Sequence, residues 1–153
     1  MIKCIAYSAI LGMLIYLQGS VRAETVAFVK NGDPRGVTQV RAKWIQANET
    51  LTCGGMNNYL VAGKTLGDGD FRIRVRMSLL KPDSTAASLM IGANHFGFDG
   101  SGRKLFVEGD QFGKTQMLGD ASEMIRPGKP FVAEVVRKGD SWTFLIDGKQ
   151  VHQ

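Results

Sequence analysis

One stretch constrains the fold more than any other: Gly67-Asp68-Gly69-Asp70-Phe71-Arg72-Ile73-Arg74-Val75-Arg76-Met77-Ser78-Leu79. A turn written in aspartate and glycine leads into nine residues of strict alternation. Side chains on a strand point to opposite faces in turn, so Phe71, Ile73, Val75, Met77 and Leu79 fall on one face and Arg72, Arg74, Arg76 and Ser78 on the other. A strand with one apolar and one charged face belongs to an antiparallel sheet covered on one side, not to a parallel sheet buried on both. The fold class that follows is all-β.

The N-terminus predicts export. Lys3 precedes an apolar run over residues 5–17, and Val21-Arg22-Ala23 offers the small residues a signal peptidase reads, with cleavage before Glu24. A transmembrane anchor is the alternative, but the run is short for a bilayer core that takes about 20 residues. Residues 1–23 are therefore expected as a signal peptide and residues 24–153 as one domain, secreted or periplasmic, with no membrane contact after cleavage. The 130 residues left are enough for one hydrophobic core. Lys3 and Arg22 leave with the signal and take the formal charge from +5 to +3, an excess too mild to point to nucleic acid. Cys4 leaves as well, so Cys53 has no intrachain partner. It reads either as a reactive thiol or as a small apolar residue beside Gly54-Gly55.

No long amphipathic pattern occurs after Glu24. Short apolar or alternating runs are separated by glycine and aspartate turns, which predicts an antiparallel β-sandwich. Strands are expected at Trp44-Ile45, Leu51-Thr52-Cys53 and residues 59–62, then over residues 71–80, 86–93, 95–98, 104–108, 131–137 and 142–146. Asp99-Gly100 predicts a hairpin turn in which glycine supplies the positive φ. Residues 109–129 are the least regular part, with a helical turn expected over Ala121-Ser122-Glu123-Met124-Ile125. Trp142, Phe144 and Ile146 share a face and are placed in the core, together with Phe71, Ile73 and Val75. The last residues, from Lys149, open a further strand, so the sandwich is expected to lack its closing C-terminal strands.

Trp44, Tyr59-Leu60, Gly67-Asp68-Gly69-Asp70-Phe71-Arg72-Ile73-Arg74 and Ile146-Asp147-Gly148-Lys149 together resemble the concanavalin A-like lectin/glucanase jelly roll. The late Trp142-Thr143-Phe144-Leu145-Ile146-Asp147-Gly148 hairpin is similar to laminin-G-like domains and to the 3-keto-disaccharide hydrolase family. More narrowly, His95-Phe96-Gly97-Phe98-Asp99-Gly100 and Lys104-Leu105-Phe106-Val107-Glu108-Gly109 resemble a domain preceding sialidase-type propellers in secreted planctomycete-like enzymes. The resemblance implies a carbohydrate-associated, lectin-like accessory domain of a sialidase-type glycoside hydrolase, with the catalytic domain elsewhere in the parent protein. A small glycoside hydrolase, or a structural protein-binding module, is implied as the alternative.

Few residues point to chemistry. Phe71-Arg72-Ile73-Arg74 approaches the Phe-Arg-Ile-Pro motif of sialidases, but Arg74 replaces the proline and the aspartate boxes of a propeller are absent. Glycosidases need two carboxylates about 5 to 9.5 Å apart. Glu108, Glu134 and Asp147 lie near strands, yet none has a second acid two residues away. Glu134 reads as a buried acid, as the partner of a neighbouring arginine, or as a solvent-facing residue. The stripe Arg72, Arg74, Arg76 suits acidic sugars, because each guanidinium offers a planar donor fork; a solvated outer face is the alternative. Asn94, His95, Phe96 and Asp99 form a second candidate set, combining hydroxyl-binding groups with an aromatic ring, or else ordinary packing beside a turn. No cofactor is expected. Calcium held by Asp68, Asp70 and Asp99 is the one metal reading, and their spacing matches no EF-hand loop. The partner expected is a glycan or acidic polysaccharide.

Overall fold

The computed structural model describes residues 25–41, 44–54, 58–63 and 65–153. The expected export signal lies outside the described residues. No described helix is long and apolar enough to cross a membrane. The chain divides into two compact units, the first ending at Thr65 and the second running Leu66–Gln153, where the sequence predicts one domain over residues 24–153.

The first unit consists of short antiparallel pairs. Its strands are β1 (Val29–Lys30), β2 (Asp33–Pro34), β3 (Val37–Val40), β4 (Ile45–Ala47), β5 (Thr50–Thr52) and β6 (Tyr59–Ala62). They pair as β1 with β2, β3 with β6, and β4 with β5. The strands expected near Trp44, Leu51 and Tyr59 are present, whereas β1, β2 and β3 carry too little alternation to be read from sequence.

The second unit is an antiparallel sandwich. Its strands are β7 (Phe71–Met77), β8 (Ala86–Ile91), β9 (Asn94–Asp99), β10 (Lys104–Glu108), β11 (Gln116–Asp120), β12 (Phe131–Lys138), β13 (Ser141–Ile146) and β14 (Lys149–His152). One sheet has the order β11-β10-β9-β8 and the other β14-β13-β12-β7. The chain therefore lays down β7, crosses to build a four-stranded meander, and returns to place β12 against β7. Period-two alternation sends Phe96, Phe98, Leu105 and Val107 of one sheet, and Phe131, Ala133, Val135, Phe144 and Ile146 of the other, into a shared core. Phe96 stacks on Trp142 at 5.6 Å and meets Phe144 edge-on at 5.9 Å. These offset and T-shaped geometries are the favoured ones for aromatic pairs.

Several sequence expectations are adjusted by this topology. β7 stops at Met77 rather than residue 80, and a 3-10 turn at Pro82–Ser84 follows. Phe71 and Met77 pack against the core, but Ile73 and Val75 are only half-buried and lie outside it. The reason is position: β7 is an edge strand, and the fully buried residues belong to its inner neighbour, β12. The irregular segment after Gly109 contains β11, whose glycine and bulge opposite Leu105-Phe106 obscure its pattern. Ala121 begins the expected helical turn, closed by a 2.8 Å bond from the Ile125 N–H to the Ala121 carbonyl, and both side chains are fully buried. Asp147-Gly148 forms the tight turn read from sequence, both residues having positive φ (49° and 78°). The hairpin expected at Asp99-Gly100-Ser101-Gly102 joins β9 to β10, but glycine does not supply its positive φ. There the positive φ falls on Arg103 (50°), and Gly100 is required by close approach: a Cβ would lie 2.0 Å from the Pro82 carbonyl oxygen.

Candidate functional site

The outer face of the β7–β12 sheet carries the arginine row. Edge placement and alternation leave Arg72 and Arg74 about two-thirds exposed (67% and 68%). The register sets Arg72 opposite Val136, Arg74 opposite Glu134 and Arg76 opposite Val132. Glu134, with its side chain only 13% exposed, lies between the first two arginines. Its Oε1 is 3.3 Å from Arg72 Nε and its Oε2 is 3.6 Å from Arg74 Nε. Among the described residues no carboxylate approaches Arg76 to ion-pair distance. Of three arginines about 7 Å apart along the strand, two residues each, Arg72 and Arg74 thus share the Glu134 carboxylate. Continuing across the sheet, Thr143 faces outward from its register with Val136, and Gln150 from its register with Leu145. Both were absent from the sequence reading; the Trp142-Thr143-Phe144 alternation is the signal that assigns Thr143 to this face.

The second candidate set lies on the other sheet, so the structure does not bring the two together. Phe96 is in the core, 1% exposed, and its ring contacts Trp142, Phe112 and Phe144. That placement removes it as a stacking platform: the alternation of β9 sends Phe96 inward while His95 and Gly97 point out. Asn94 accepts a 3.0 Å hydrogen bond from the Gln111 N–H and anchors the 3-10 turn Asp110–Phe112. Asp99 accepts from the Ser101 N–H, the Ser101 hydroxyl and the Gly102 N–H, shaping the β9–β10 connection. His95 stands on the outer face between Met90 and Glu108 in register. A ring that the sequence reading passed over, Phe106, covers the outer side of Gly97, where a Cβ would meet its Cε1 at 2.8 Å.

Other chemistry finds little footing. Asp70 accepts a 2.8 Å bond from the Gly139 N–H at the β12–β13 turn, far along the fold from the turn that Asp99 holds. Among the described residues no three His, Cys, Asp or Glu side chains gather as a metal set, and none of these residues is a buried polar or charged group. Glu108 is exposed and Asp147 accepts from the Val132 N–H at 2.8 Å. The void in the core is apolar, about 10 Å³, between Met77, Leu89, Phe96 and Phe131, and holds no substrate-sized volume. Cys53 is half-buried. Burial pushes its thiol pKa up, against a smaller downward pull from the Asn58 side chain, which lowers the thiolate fraction that a nucleophile needs. Asp120 is held below the ordinary aspartate value, first by the Ser122 hydroxyl and then by the Ser122 N–H.

Comparison with protein-family models, with curated proteins and with solved structures gives no match to this chain.

Proposed function

We propose that this chain is an exported, non-catalytic binding module for acidic polysaccharide. In this reading it is a concanavalin A-like, laminin-G-like jelly roll serving as accessory to a sialidase-type glycoside hydrolase. The observation that carries the proposal is the exposed row Arg72, Arg74, Arg76 on a sheet face where, among the described residues, Glu134 is the one carboxylate partner. A carboxylate or sulfate laid on this row meets planar donors that bind oxyanions through paired hydrogen bonds. The Glu134 contacts supply an internal precedent, since one carboxylate already engages two guanidinium groups there. Thr143 and Gln150 extend the same face with groups that bond sugar hydroxyls. Linkage to a catalytic domain would raise local substrate concentration with no chemistry of its own.

A glycan array carrying neutral, sialylated, uronic-acid and sulfated ligands tests this reading. Selective retention by the acidic ligands is the expected result. Equal retention by neutral ligands, or none by any ligand, would overturn it.

A further inference from the structure

β7 is paired on one side only. Among the described residues β12 is its one partner, and no strand lies along its other edge. In an antiparallel pair, residues that bond to the neighbour alternate with residues whose N–H and C=O turn away. The free edge of β7 therefore presents a ladder of open backbone groups, a template for one more strand. Its inner face is unfinished as well. Ile73 and Val75 share that face with Phe71 and Met77, yet they are half-buried and lie outside the core. A further strand beside β7 would set side chains of its own against these two.

The arginines define the chemistry of that strand. Arg72, Arg74 and Arg76 occupy alternate positions on the outer face, all exposed. Residues directly opposite on neighbouring strands have Cβ atoms about 4.5–5.5 Å apart, so a strand added here meets one guanidinium group at every second residue. Like charges set opposite one another repel, which excludes a second copy of β7, whereas acids in those positions attract. We infer that the free edge of β7 receives an extended segment of another protein, added as a strand, with acidic residues at three alternate positions and apolar residues between them. The acids meet Arg72, Arg74 and Arg76, and the apolar residues cover Ile73 and Val75.

The segment comes from outside these 153 residues, because no stretch of them has acids at three alternate positions. The only acids two residues apart are Asp68 with Asp70, which lead into β7 itself, and Glu108 with Asp110, at the end of β10. That exclusion rests on sequence and holds for every part of the chain. The inference stands apart from the polysaccharide reading, because it uses the backbone edge and the inner face, which a polysaccharide on the outer face leaves untouched. Both ligands engage the same guanidinium groups, so the protein segment would compete with polysaccharide for the row.

Titration of the purified chain with two capped peptides of seven residues, the length of β7, tests the inference. One is Val-Glu-Val-Glu-Val-Glu-Val. The other, Glu-Glu-Glu-Val-Val-Val-Val, keeps the composition and charge but not the alternation. The alternating peptide should bind about tenfold or more tightly than the blocked one, and its binding should protect from hydrogen exchange the β7 amides not bonded to β12. Arg72→Gln/Arg74→Gln/Arg76→Gln should weaken it by about tenfold or more. Equal binding of the two peptides, no binding of the alternating one at about 1 mM, or unchanged exchange at β7 would each overturn the inference. Equal binding would report charge alone and leave the polysaccharide reading standing. Should the triple variant fail to fold by circular dichroism, the peptide comparison and the exchange measurement on the wild type decide.

Discussion

Removing an acid from this molecule should strengthen its binding to acids. Glu134 lies 3.3 and 3.6 Å from the Nε atoms of Arg72 and Arg74, so an anion seated on the far side of these groups lies roughly 7 Å from the Glu134 carboxylate. The repulsion is about 0.6 kcal/mol in the limit of bulk water and about 2.4 kcal/mol at an effective dielectric of about 20. Both arginines are two-thirds exposed, so the watery limit applies, and at physiological salt the Debye length of about 8 Å trims it further. Glu134→Gln should therefore gain about 0.2–0.6 kcal/mol, roughly 1.5-fold to threefold in affinity for a sulfated or uronic-acid polysaccharide. The fold should hardly respond, because ion pairs with exposed partners are worth about 0–1 kcal/mol and glutamine keeps the shape. Isothermal titration calorimetry at several salt concentrations, with thermal unfolding alongside, reads both quantities. Weaker or unchanged binding by a normally folded Glu134→Gln would refute the placement of the ligand on this row.

Three further outcomes test the packing and the local electrostatics. Gly100→Ala should destabilise by about 1–3 kcal/mol or more in chemical denaturation, since the new Cβ meets the Pro82 carbonyl at 2.0 Å and backbone must shift; a neutral result would show that the 82–85 turn does not rest on this hairpin. Phe96→Ala should cost about 3–5 kcal/mol while glycan affinity of the folded fraction stays unchanged, and a selective loss of binding at full stability would return Phe96 to the ligand site. Asp120, depressed in the folded state, contributes stability that is present above the unfolded aspartate value of about 3.9 and lost as pH falls through the lower folded value. Ser122→Ala should move its carboxyl titration, followed by NMR, back up toward the ordinary value; an unmoved titration would assign the depression elsewhere.

The sandwich was legible wherever one face is apolar and the other polar. β7, β12 and β13 alternate over six to eight residues, and Asp147-Gly148 is one of the few residue pairs that favour two successive positive φ angles. β11 escaped because Gly119 and a bulge break its period, and β1 to β3 because two to four residues carry no period at all. The edge position of β7 was also invisible: its alternation announces an inner face, but only the strand order shows that Ile73 and Val75 lack a full covering layer. Of the candidate site, the arginine row could be read directly, and its pairing with Glu134 only as one of three possibilities, since register decides which residues meet. The split of the other set onto the opposite sheet is a matter of topology. Asp99 and Gly100 illustrate the limit, because a turn residue and a close-packed residue look alike in sequence.

The arginine row is tested most directly by measuring affinity for a sulfated polysaccharide against salt, for the wild type and for Arg72→Gln/Arg74→Gln/Arg76→Gln. Counterion release ties the slope of log affinity on log salt to the number of charges engaged. The proposal predicts a clear negative slope for the wild type, and both a loss of affinity and a flatter slope in the triple variant with its fold intact by circular dichroism. Equal affinities and equal slopes for the two proteins would contradict it.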